Sequence, residues 1–187
     1  LGKTTDNWCP KCQIIVYPTQ RKYVAAVGRG SEATVGSSLV DVKNGVISSR
    51  QIDLSGESKD YLSSSLPHEL THVVLRDGFV TTRLPRWADE GMATLADTSA
   101  KQLRHNNDLR NAVRRNDLLA VAELLDTDGY PRMTKFGVFY GESLSLTSFL
   151  VTRGGPQRFV EFVEQAQRIG FDSALRLCYG LQGISDL

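Results

Sequence analysis

His68-Glu69-Leu70-Thr71-His72 is the stretch on which the reading of this chain turns. Two histidines four residues apart lie on one face of a helix, close enough for their imidazoles to share a single zinc ion. Glu69 lies about 100° round from His68, so it is poorly placed to share the ion but can reach a water molecule bound to it. The string therefore predicts a helix that carries two metal ligands, His68 and His72, with a general base between them. A catalytic zinc commonly has three protein ligands and keeps one position for water, so a third ligand is needed, and Glu90 is the candidate.

Around this stretch the chain divides by period. From Gln13 to Leu54 it is strand-like, with β-branched and aromatic clusters at Ile14 to Tyr17 and Tyr23 to Val27. Asn44-Gly45 supplies the two positive φ angles of a tight hairpin between Leu39 to Lys43 and Val46 to Leu54. In the latter run Val46, Ile52 and Leu54 share one face, while Ile47, Ser49, Gln51 and Asp53 share the other. The polar row reads either as a solvated sheet face or as an edge strand beside the active helix, where an extended peptide could pair.

After Gly56 the period becomes helical. Pro67 falls in the first turn of the histidine helix, or kinks it if the helix begins as early as Asp60. Leu66, Leu70, Val73 and Val74 form its apolar flank, and Asp77-Gly78 stops it. A second helix from Pro85 carries Glu90, and Gly91 within it suggests close approach to the histidine helix. Ser99 to Asp126 reads as amphipathic helices built on Leu103, Leu109, Val113, Leu118, Leu119, Val121 and Leu124. Thr127 to Tyr130 reads as a turn. Helices over Tyr140 to Thr152, Gln157 to Arg168 and Asp172 to Tyr179 complete the chain, the first closed by Gly154-Gly155-Pro156.

The expected fold class is α+β: one domain over residues 1–187, with a small β-rich part over 13–56 and a helical part over 59–187. The formal charge of +1 offers no basic field for phosphates, which argues against nucleic acid as a partner. No apolar run approaches the roughly 20 residues of a membrane span. The chain begins at Leu1, so removal of a signal peptide is open, and with it a secreted or periplasmic location. Cys9-Pro10-Lys11-Cys12 admits a disulfide, free thiols, or metal or redox use, with Cys178 the third cysteine. Oligomeric state is left open.

Leu84-Pro85-Arg86-Trp87-Ala88-Asp89-Glu90-Gly91-Met92-Ala93 resembles the segment by which gluzincin metallopeptidases, the clan of thermolysin and the zinc aminopeptidases, present their glutamate ligand. Phe139-Tyr140-Gly141-Glu142-Ser143-Leu144 is similar to the Tyr-x-Lys-Gly segment of the aminopeptidase branch, departing from it at Glu142 and Ser143. The likeness runs from about Tyr61 to Gly180. It implies a zincin-like fold, Zn²⁺ held by His68, His72 and Glu90, Glu69 as base, and Tyr140 as donor to the oxyanion. His105 could replace Tyr140 as that donor, although on so polar a stretch it reads as a surface residue. Asp89 and Asp97 are candidate partners for the imidazoles, although Asp97 also reads as a solvated charge at a helix end. Thr94 stands where thermolysin-like members have an acid. The Gly-x-Met-Glu-Asn anchor for a free amino terminus is missing, so the implied activity is zinc-dependent peptide-bond hydrolysis of peptides or proteins, endopeptidase in mode. The alternatives are a catalytically inactive binding domain of the same fold and a zinc hydrolase of non-peptide amides or esters.

Overall fold

Pro18 and Thr19 set the first departure from the expected order. The computed structural model describes residues 8–187, in which strand β1 (Cys12–Tyr17) is followed not by a second strand but by helix α1 (Gln20–Val27). Thr19 caps it, its side chain accepting from the amide of Lys22 at 3.3 Å, and Gly28 ends it with φ of 104°. Between these caps the helix-forming residues Gln20, Arg21, Lys22, Ala25 and Ala26 outweigh the β preference of Tyr23, Val24 and Val27. Tyr23 is fully buried, its hydroxyl 2.8 Å from that of Thr34.

The hairpin forms as expected. Strands β2 (Gly36–Lys43) and β3 (Val46–Ser55) pair antiparallel across Asn44 and Gly45, whose φ angles are 52° and 73°. The sheet order is β1-β3-β2, with β1 parallel to β3. This corrects the edge-strand reading: Val46 to Leu54 lies in the centre, and β2 forms an edge. A strand with partners on both sides has no free ladder for a peptide. The polar row is not simply solvated either, because Tyr17 reaches across it to donate to Asp53 at 2.9 Å, and Asp53 is buried.

A π-helical turn (Tyr61–Ser65) with Asp60 at its N-cap leads directly into α2 (Leu66–Gly78), so the helical run does begin at Asp60, and Pro67, which has no N–H to donate, falls where the wider turn passes into the α-helix. Val73 packs with Ile52 and Leu54, flanked by Tyr61, Leu66 and Leu70. Val74 departs from the expected flank, being 36% exposed, while Leu75 is buried. At the end of α2, Asp77 accepts from Arg50 Nε at 3.0 Å and from the Trp8 indole, and the Arg50 guanidinium lies over the Trp8 ring. All three cysteines are free thiols.

The remaining helices are α3 (Arg86–Leu95), α4 (Ser99–Arg115), α5 (Val121–Asp126), α6 (Phe136–Ile169) and α7 (Phe171–Tyr179). α6 is broken at Gly155, where φ is 81°, so the expected stop at Gly154-Gly155-Pro156 is a sharp kink with Pro156 opening the second half. α6 packs against α3, α4 and α7, around Trp87, Phe139, Leu150, Phe159, Phe162 and Leu175. Leu103, Val113 and Leu118, expected on apolar faces, are exposed; α4 approaches α6 instead at Gly141, where a Cβ would lie 2.7 Å from the His105 carbonyl oxygen. Gly91 serves a similar purpose: a Cβ there would overlap Thr147 and lie 2.6 Å from the Ser143 carbonyl oxygen. The neighbour that demands glycine is therefore α6, not the histidine helix.

The architecture is α+β, a three-stranded sheet followed by a mainly helical part. The described residues gather into two compact units, one of 8–81 with Ala96–Thr98 and the other of Thr82–Leu95 with Ser99–Leu187. No helix among them is long and apolar enough to cross a membrane.

Candidate functional site

Within the first unit α2 brings together His68, Glu69 and His72. One helical turn separates the histidines, and their rings stand edge to face with centroids 4.9 Å apart, ligand atoms within 4.8 Å of one another. His68 Nδ1 lies 3.0 Å from Asp97 Oδ2. An acceptor carboxylate fixes the proton on Nδ1, so Nε2 is the nitrogen with a lone pair. Asp97 also accepts from Ser64 Oγ at 2.9 Å and is buried. The reading of Asp97 as a solvated helix-end charge is thus corrected: two donors compensate its desolvation. Asp89, by contrast, is 3.2 Å from the Arg86 guanidinium.

Glu69 points at the sheet. Ser38 Oγ, on the edge strand β2, donates to its Oε2 at 2.8 Å. Gly36 lies beneath the same side chain, and a Cβ there would stand 2.9 Å from both Cγ and Oε1 of Glu69. By strand alternation Gly36 and Ser38 share one face of β2, so a single short stretch holds the carboxylate from two sides.

Within the second unit Glu90 is almost completely buried on α3. Tyr130 donates to its Oε1 at 2.5 Å, and the Arg86 guanidinium, one turn earlier, is 3.8 Å from the same oxygen. Tyr140, in the first half of α6, belongs to the same group, its ring centroid 6.5 Å from that of Tyr130. Burial, followed by the negative charge of Glu90, pushes both phenols well above their ordinary range, so each remains a donor at neutral pH. His105, expected on the surface, stacks on the Tyr140 ring with centroids 5.2 Å apart and planes 25° from parallel. That contact makes His105 a support of Tyr140. Glu142 accepts from the Leu119 amide at 3.1 Å, and burial raises its pKa to about 7.

Of the partners in these groups, Asp97 is the candidate named from the sequence, and Tyr130 is the one that sequence reasoning missed. Asp97 was detectable only as an acid seven residues beyond Glu90. Tyr130 sits in a turn 40 residues from its partner, and no local pattern links the two. Comparison with known protein families, with curated proteins and with solved structures finds no match.

Proposed function

We propose that this chain is a zinc-dependent peptidase of gluzincin type and endopeptidase mode, which holds one zinc ion through His68, His72 and Glu90, donors of the kind that take a divalent ion. The observation that carries the reading is the buried hydrogen bond between His68 Nδ1 and Asp97. Metal-binding imidazoles ordinarily donate their second nitrogen to a carboxylate, which fixes the tautomer and makes the other nitrogen a better ligand. A buried packing histidine would be served by any acceptor, whereas a buried carboxylate is the partner that metal-binding imidazoles ordinarily take. Two imidazoles and a carboxylate also have the mixed nitrogen and oxygen character that suits zinc.

Zinc, when bound, supplies a Lewis acid that polarises a carbonyl and makes water nucleophilic near neutral pH. The chain supplies the rest. Glu69, oriented by Ser38, takes the proton of the attacking water and passes it to the leaving amine. Tyr140, kept protonated by burial beside Glu90, donates to the oxyanion as the carbonyl becomes tetrahedral. The edge strand β2, which packs beside α2 and carries Ser38, offers the ladder along which a peptide pairs on both sides of the scissile bond. This replaces the central strand β3 in that role.

The test is zinc content together with cleavage of a denatured protein mixture and of peptides blocked at both ends. Glu69→Gln keeps the metal and the fold and loses about 10² to 10⁴ in turnover, because only the base is removed. Loss of zinc in Glu69→Gln, or release of single amino-terminal residues alone, refutes the assignment.

A further inference from the structure

Tyr130 is held by contacts of two kinds. Its ring lies against Phe136 and Phe139, with centroids 5.6 and 6.4 Å away, and beneath the Arg86 guanidinium at 4.9 Å. A phenylalanine would keep every one of those contacts. The hydroxyl is used differently: it is aimed inward at Glu90 Oε1 while half of the residue surface stays exposed. Packing alone has no use for a phenol in that position, since a buried hydroxyl must find a partner and an apolar ring need not.

A carboxylate on a flexible side chain can present either oxygen, or both, to an ion. A donor fixed on one oxygen removes that freedom, and outer partners of this sort typically account for about 10- to 100-fold in metal affinity. Glu90 is drawn into a fixed pose by Tyr130 from a segment between α5 and α6, whose position is set by the aromatic contacts above. We infer that Tyr130 is the positioning residue of Glu90 in metal binding, its hydroxyl fixing the carboxylate in the orientation in which it takes the ion. This rests on the proposal that Glu90 is a metal ligand.

The experiment is equilibrium titration of the metal-free full chain with zinc alone, in competition with a chelator of known affinity, for the wild type, Tyr130→Phe and Tyr130→Leu. The expected result is a loss of about 10- to 100-fold in affinity that is the same in Tyr130→Phe and Tyr130→Leu, because both lack the hydroxyl. The visible spectrum of the cobalt(II)-loaded protein should change in Tyr130→Phe, as the ligand geometry relaxes, while the far-ultraviolet circular dichroism does not. Affinity within a factor of about two of the wild type in Tyr130→Phe, or a loss confined to Tyr130→Leu, overturns the inference and leaves the metal site standing. A wild type that binds no zinc overturns the site itself, and the inference with it.

Discussion

His68 and Asp97 form a buried pair: Nδ1 and Oδ2 are 3.0 Å apart, and the aspartate side chain has no exposed surface. The carboxylate lies beyond α3 in sequence yet gathers with the sheet and α2 in space. Its second donor, Ser64, comes from the π-helical turn that precedes α2. The widened turn and the His68 imidazole thus meet on one carboxylate.

Asp97→Ala should lower zinc affinity by about 10- to 100-fold, the usual cost of losing an outer partner of a ligating histidine. It should also destabilise the metal-free protein by about 1 to 3 kcal/mol, because buried donors on Ser64 and His68 lose their acceptor. Chelator competition measures the first and urea unfolding the second. Unchanged zinc affinity alongside lowered stability would make the pair purely structural.

Tyr140→Phe should cost turnover roughly 2.7 to 4 kcal/mol, the scale of one oxyanion donor, and the loss should fall on kcat rather than KM. The stacked ring of His105 keeps its partner in this variant. An unchanged kcat in Tyr140→Phe with a large fall in His105→Ala would transfer the donor role to His105.

Gly91→Ala tests the packing of α3 on α6. The added methyl would overlap Thr147 and press on a backbone oxygen 2.6 Å away. Alanine's helix preference favours the change by about 1 kcal/mol, whereas overpacking of a rigid site costs about 1 to 3 kcal/mol or more. Net destabilisation is expected, read as a lower urea midpoint, because the Ser143 carbonyl of the α6 backbone cannot rotate aside even if the Thr147 side chain does.

Glu142 makes stability depend on pH. Burial raises its pKa from 4.5 to about 7 in the folded chain, so between those values the unfolded chain has released a proton that the folded chain retains. Stability therefore falls as pH rises from 4.5 through about 7, then levels off. Glu142→Gln should raise the melting temperature at pH 8 and leave it nearly unchanged at pH 4, with its amide oxygen still able to accept from Leu119. Melting curves at the two pH values decide it.

The elements that could be read from the sequence are those whose signals are local. Asn44-Gly45 encodes its turn in two residues, and Pro85 and Gly78 bound their helices in the same way. Tyr23 to Val27 misled because composition favoured a strand while Thr19 and Gly28, just outside the run, imposed a helix. The parallel pairing of β1 with β3 depends on a crossover through α1 and the hairpin, which no window of sequence contains. At the site, the spacing of His68, Glu69 and His72 is itself the geometry, so one helical turn makes it legible. The bonds from Asp97 to His68 and from Tyr130 to Glu90 span 29 and 40 residues and exist only once the chain has folded.

Gly36 places two selective pressures in opposition. Its backbone lies in an ordinary strand, so alanine would suit the sheet at least as well, and what a methyl would displace is the carboxylate of Glu69. A library randomised at position 36 and sorted for folded protein would accept small side chains there. The same library sorted for catalysis would return to glycine. The frequencies in the two sorted pools would then report, at a position that makes no side-chain contact of its own, how much of this strand is kept for chemistry rather than for folding.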